Sequence, residues 1–476
     1  MQTTIVRLIL AAAMFSTTAA FAFDIREIEG TTWFGLYMGG QKIGFAENVT
    51  TVGDDDSVTM NQDVTFRLTM VGQQQEMRST SERKYAPDGG LLSVESRVDD
   101  PSGRSEFHAH VTENSLELRS IVGGQESFKH LPKPKETLAD AIETTERLRE
   151  GADVGDQYTY YLFEPMFQRE LEARCEVIGI EERVLDGIAT KVYAVKTSLM
   201  PIGMNSVAYM SENGDLLEDR IANGLIKLRV EPEAMAKDVS FTNDTIVSNA
   251  AMIDRPIRNA RGRDSLTLRI RGPLGSEHMF NDTGQSFQSS SDGFVFTGRK
   301  SAVKGTPPSL PITDAEVTPW LAPSTFVQSD SPAIVEKSRA IVGDETDSLK
   351  AVEKLVEWVS DSMRPSYSAR LTNALEVLES LEGDCTEHSI LLVALARAAG
   401  IPAREVAGLI YSDQPQPGFY FHQWAKVWVG EWMDVDPTFD QVYADATHIK
   451  LSEGDLIEQV KLLPVIGQLS IEVAGE

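Results

Sequence analysis

Across residues 31–239 apolar and polar side chains alternate in short runs broken by turns. Val64, Phe66, Leu68 and Met70 take one parity and Thr65, Arg67 and Thr69 the other. That period of two belongs to strands with one face against a core and one toward water. The runs 33–38, 43–49 and 191–196 repeat it, the first ending at Gly39 and Gly40, so the spacing predicts antiparallel sheet. A polar helical stretch at 138–148 divides this region into two possible halves. Residues 265–303 predict a smaller β-rich unit, with strands at 266–270 and 294–296. The Pro-rich run 305–311 then marks a linker. After it the period changes. Residues 331–342, 347–363 and 371–381 have helical spacing, with Ala351, Leu355, Trp358 and Val359 sharing one face of the second.

The next helix carries the chemistry. Asp384 reads as its N-cap and Glu387 completes a capping box, which makes Cys385 the first helical residue. Ile390, Leu391, Leu392, Val393, Leu395, Ala396 and Ala398 make the helix apolar almost all round, so it must be buried on every side. Gly400 and Pro402 stop it. A free cysteine is usually a small core hydrophobe, but Gly383 and Asp384 before it and Thr386 and Glu387 after it are polar, which suits a core slot poorly. A thiol at a helix N-terminus faces unsatisfied N–H groups and the positive end of the dipole, so a thiolate is expected there.

A strand at 404–410, a polar loop at 411–418 and a hairpin follow, the hairpin strands being 422–429 and 432–436. A histidine, His422, lies on the first and an aspartate, Asp436, on the second. Side-chain parity tests whether they meet. With a two-residue loop at Gly430 and Glu431, His422 and Asp436 would point to opposite faces. A three-residue loop, Val429 to Glu431, with Trp428 opposite Trp432, brings them to one face. Asp434 shares that face and is the fallback partner.

Gly383 to His388, Ala396 to Arg404, His422-Gln423-Trp424 and Asp436-Pro437-Thr438 resemble the transglutaminase-like superfamily, over about residues 325–450. The resemblance implies an α+β chain with a C-terminal papain-like transglutaminase core preceded by antiparallel β-rich domains. It implies Cys385 as nucleophile, His422 as general base and acid, and Asp436 as orienter of the imidazole. His388 also fits the bacterial pattern, but its place along the helix makes it structural. The expected organisation is 1–22 signal peptide, 23–245 β-rich N-terminal domain in one or two halves, 246–310 small β-rich unit with linker, and 311–476 catalytic domain. The expected function is acyl transfer on protein or peptide amides through a thioester. Hydrolysis is slightly favoured over transamidation, because water is always present and no acceptor site is visible. The alternative is a non-catalytic binding or assembly protein that works through its β-domains and keeps the thiol core as scaffold.

Composition sets the surroundings. A charged residue, an apolar run and Ala20-Phe21-Ala22 read as an export signal over 1–22, so a periplasmic or secreted location is expected. No later segment is long and apolar enough for stable membrane insertion. A formal net charge of −28 repels nucleic acid and anionic lipid. The chain has two cysteines, Cys175 and Cys385, too few for a disulfide framework, and Cys175 reads as a structural thiol in a strand. No dinucleotide, P-loop or Gly-x-Ser-x-Gly pattern occurs, so no cofactor is expected. His108 and His110 alternate on one strand without a third ligand nearby, and no metal is assigned to them.

Overall fold

The computed structural model of the chain describes residues 25–70, 73–185, 187–239, 249–253, 255–367 and 371–475. The expected signal peptide, 1–22, lies outside them. The chain divides into two compact units on either side of residue 243.

In the first unit, fourteen strands among the described residues form one antiparallel sheet. Eight consecutive strands, Gly30–Met38 through Gln125–Pro132, make one meander. After the helix Leu138–Glu150, six more from Gln157–Glu164 to Ile226–Val230 make a second. The first and last strands join the two, with Phe34 opposite Val230 and Met38 opposite Ile226. The alternation is realised over 64–68, with Val64, Phe66 and Leu68 buried and Arg67 exposed, but Thr69, read on the polar face, is buried as well. The helix is capped by Thr137, whose side chain and that of Asp140 bond each other's backbone N–H. Gly151 ends it in a left-handed conformation that glycine adopts freely. Beneath it Arg83 donates to both oxygens of buried Glu136 at 2.8 and 2.9 Å, and the Tyr85 hydroxyl adds a bond at 2.7 Å. Cys175 is buried in this unit beside the Thr197 hydroxyl.

Among its described residues the second unit has two larger sheets, besides a two-stranded pairing of Arg364–Pro365 with Glu382–Gly383. In one, strands run in the order Ala251–Met252, Gly418–Trp428, Ala403–Ser412, Ile449–Glu453, with Trp432–Val435 also paired to Gly418–Trp428. In the other the order is Gln285–Ser290, Gly293–Arg299, Ser265–Arg271, Ser470–Gly475. The helix Cys385–Ala398 packs on the first sheet and is ringed by the helices Pro332–Val342, Ser348–Ser362 and Ala374–Ser380. Every residue from Cys385 to Ala396 is buried, as its all-round apolar pattern requires. Ion pairs link the two sheets: Lys426 Nζ lies 2.8 Å from Asp282 Oδ2, Lys450 bonds the same carboxylate, and Lys450 also reaches Asp434 Oδ2 at 3.1 Å. Among the described residues no helix is long and apolar enough to cross a membrane.

Candidate active site

The cysteine is placed by its cap. The Asp384 carboxylate accepts the Thr386 N–H at 2.8 Å and the Asp384 N–H donates to Glu387 Oε2 at 2.8 Å. This reciprocal pair fixes the first turn. Gly383 must stay small, since a Cβ there would fall 2.3 Å from the Glu387 Cβ. Cys385 is therefore held at the tip of a capped and buried helix. Ser389 bonds the Cys385 carbonyl at 2.7 Å, and His388 Nδ1 lies 2.7 Å from the Asp384 carbonyl. His388 is thus tied to its own helix, and burial pulls its imidazole below the ordinary range.

The histidine and aspartate are placed by the hairpin. Trp428 faces Trp432, Ala425 faces Val435, and Val429 to Glu431 form the three-residue loop. The parity condition is met. His422 Nε2 stands 2.8 Å from Asp436 Oδ2, both groups buried. Asp436 leaves the ladder through a bridge to Gln441 that closes a turn over 437–440, and its second oxygen accepts the Thr438 N–H at 2.9 Å. The fallback, Asp434, is committed elsewhere: it accepts the Trp424 indole N–H at 3.0 Å and faces Lys450.

The thiol meets the strand through the backbone. The N–H of Gln423, the residue after His422, donates to the Cys385 sulfur. The Gln423 side chain is turned away and donates to Glu405 at 2.5 Å. The Trp424 indole N–H is spent on Asp434 and does not serve as a second oxyanion donor.

In the structure burial acts against the thiolate that the helix terminus favours. Burial pushes the Cys385 thiol up to about 12, aided by the neighbouring Asp384 charge and opposed by the Gln423 N–H. Only 3% of the residue is exposed, so the cost of a desolvated anion exceeds what one helix terminus returns. Burial also pulls the His422 imidazole below its ordinary value, against the pull of Asp436. Both shifts favour the uncharged forms, a thiol beside an imidazole.

A group the sequence did not disclose completes the cluster. His448, ahead of the strand Ile449–Glu453, places Nε2 at 2.9 Å from the same Asp436 Oδ2. Its ring packs edge-on to Trp424 at 4.9 Å, and the His422 ring lies 6.0 Å away. Burial opposes ionisation of both groups, yet His422 and His448 hold Asp436 well below the usual carboxylate range, and Asp436 and Asp445 raise His448 to about 9. The one sequence signal was the spacing of Asp445 and His448, too common a pattern to single out. The ligand-type atoms of His422, Asp436 and His448 fall within 4.8 Å of one another. Here both imidazoles already spend Nε2 on the carboxylate at hydrogen-bond distance, which is proton sharing rather than the open ligand set a metal needs.

Comparison with known proteins agrees with the sequence motifs. Residues 336–437 match the transglutaminase-like superfamily, a family of thiol enzymes that accounts for the segment holding Cys385 and His422. An uncharacterized protein of Haemophilus influenzae is 32% identical over 132 residues, covering 26% of this chain and 36% of that protein. An uncharacterized protein of Mycobacterium tuberculosis is 35% identical over 96 residues, covering 17% of this chain and 30% of its own length. The chain thus spans about a third of the curated relatives it matches. Among solved structures, a candidate cysteine protease from Cytophaga hutchinsonii aligns with 44% of this chain and 83% of its own, at 18% identity and a TM-score of 0.29. A β-barrel-like protein of unknown function from Brucella abortus aligns with 42% of this chain and 94% of its own, at 13% identity and a TM-score of 0.34.

Proposed function

We propose that the chain is an exported thiol acyl-transfer enzyme with a papain-like core, acting on protein or peptide amides with Cys385 as nucleophile, His422 as base and acid, and Asp436 as orienter. The observation that carries this reading is one continuous arrangement. The His422 imidazole is held on Asp436 at 2.8 Å, and the next backbone N–H touches the Cys385 sulfur.

With Nε2–H given to Asp436, the tautomer leaves the Nδ1 lone pair of His422 available. The Cys385 thiol proton passes to that nitrogen as the sulfur electron pair bonds the substrate carbonyl carbon. The carbonyl π pair moves to oxygen, beside the Cys385 backbone N–H. Collapse of this intermediate restores C=O, breaks the C–N bond and sends the His422 proton to the leaving amine. A thioester remains. Water, deprotonated by His422, then releases the acid, and a primary amine in its place forms a new amide.

The test is to incubate the chain lacking residues 1–22 with a panel of peptides containing Gln and internal amides, with and without a primary amine, and to read products by mass spectrometry. Cleavage or deamidation that is lost in Cys385→Ala and His422→Ala supports hydrolysis, and amine adducts support transamidation. No product of any kind, from protein in which Cys385 can be alkylated, sinks the reading. The deep burial of Cys385 favours one rival, in which the thiol core is a scaffold and the protein binds or assembles without catalysis. That rival expects no product and unaltered partner binding in Cys385→Ala.

A further inference from the structure

We infer that His448 is a positioning residue that remains an imidazolium in the resting site, clamping Asp436 and keeping His422 neutral. The inference rests on the acyl-transfer reading for its meaning, but its geometry stands without it.

Both ring nitrogens of His448 face acceptors. Nε2 lies 2.9 Å from Asp436 Oδ2. Nδ1 lies 3.1 Å from the Asp445 carbonyl oxygen and 3.5 Å from Asp445 Oδ1. A neutral imidazole has one N–H and one lone pair, so in either tautomer a lone pair would confront an oxygen. Only the doubly protonated ring satisfies both sides. The site is buried, where an opposed pair of acceptors is costly.

His422 is the converse case. Its Nε2 shares the Asp436 oxygen that His448 uses. One carboxylate charge compensates one imidazolium; a second, on His422, would put two cationic rings 6.0 Å apart inside the protein. The surrounding charges are accounted for. Asp445 also holds the Arg261 guanidinium at 3.2 Å. Lys450 is occupied by Asp434, Asp282 and Glu453. His388 is bonded to the Asp384 carbonyl. His448 therefore supplies the positive charge next to the base. It fixes the Asp436 carboxylate from a second side and lowers the proton affinity of His422, so that the base stays unprotonated at moderately acidic pH.

The experiment is imidazole nitrogen NMR of histidine-labelled protein, practical with seven histidines, on the chain and on His448→Asn, across pH 4 to 10. In the unaltered chain His448 should remain doubly protonated past pH 8, while His422 shows the Nε2–H tautomer down to acidic pH. In His448→Asn the His422 midpoint should rise by about one unit, the effect of removing one neighbouring like charge. The acid limb of any turnover should move up with it. A residue that merely filled space would change activity without moving that limb. If His448 titrates near 6.5, or if the His422 midpoint is unchanged in His448→Asn, the inference is overturned. Should His448→Asn fail to fold, Asp445→Asn replaces it: the His448 midpoint must fall, and an unmoved midpoint overturns the inference equally. Expected NMR behaviour with no turnover in any assay would instead sink the acyl-transfer reading and leave the charge assignment of His448 standing.

Discussion

At the scale of single residues the site separates two aspartates that the sequence could only rank. Asp436 accepts from both imidazoles, whereas Asp434 holds Trp424 and Lys450. Replacing Asp436 with Asn leaves the shape but turns an amide toward two N–H donors and spoils the tautomer. The expected loss in kcat/KM is about 10⁴-fold, the order seen when such an orienting carboxylate is neutralised. Asp434→Asn should cost activity little and lower the melting temperature instead; equal kinetic losses in the two variants would refute the assignment. The charge on His448 adds a pH dependence. Its pKa is raised from the ordinary 6.5 to about 9 by Asp436 and Asp445, against burial. A raised pKa contributes stability that is complete below 6.5 and lost as pH climbs through 9. Denaturant unfolding should show the chain weakening across that window by about 3 kcal/mol at most, and Asp445→Asn should flatten the slope. The capped start of the Cys385 helix and the meeting of His422 with Asp436 were legible because cap chemistry and strand parity are local properties. His448 was not, because it reaches Asp436 from the position ahead of a strand that bears no fixed spacing to the hairpin. The helix dipole at the thiol is visible in sequence, while the burial that opposes it belongs to packing.

At the scale of elements, close approach of strands explains positions whose importance composition hides. Gly408 stands opposite His422 in the ladder, and a Cβ there would come within 2.0 Å of the Ile449 carbonyl oxygen. The strand carrying Gly408 is thus pressed between the His422 strand and the one that begins just after His448. Gly408→Ala must push the latter away, at an expected cost of about 1–3 kcal/mol for overpacking. Because the displaced backbone continues from His448, activity should fall more than the lost stability explains. Thermal melts alongside kcat/KM check this, and a variant with normal melting and normal turnover would contradict it. The hairpin itself was readable: Trp428 pairs with Trp432, the register that an odd loop needs to bring His422 and Asp436 to one face. The partnership of Ser265–Arg271 with Ser470–Gly475 was not readable. Both segments alternate adequately, and nothing local says which distant strand completes which sheet.

At the scale of the whole molecule that long-range pairing decides what folds alone. The unit holding the site begins near residue 244, and its terminal strand is hydrogen-bonded to residues that precede the 305–311 linker. The carboxylate of Asp282, also before the linker, sits between the ammonium groups of Lys426 and Lys450. Removing residues 249–310 would strand a sheet edge and leave Lys450, which is almost wholly buried, with one fewer counter-ion, a costly state for a buried charge. A fragment starting at residue 249 should therefore melt cooperatively and at higher temperature than one starting at 311. The reverse order would mean that the β-rich strands before the linker are a separate domain and only rest against the core. Asp282 supplies the matching pH signature. Burial opposes its ionisation, but Lys450 and Lys426 depress its pKa below the ordinary 3.8. The stability it contributes is present above 3.8 and lost as pH falls further. In the fragment starting at 249, Asp282→Asn should lower the melting temperature at neutral pH and shrink the difference from the unaltered fragment in acid. A difference that persists undiminished at pH 2 would show that packing around the side chain, and not its charge, joins the two sheets.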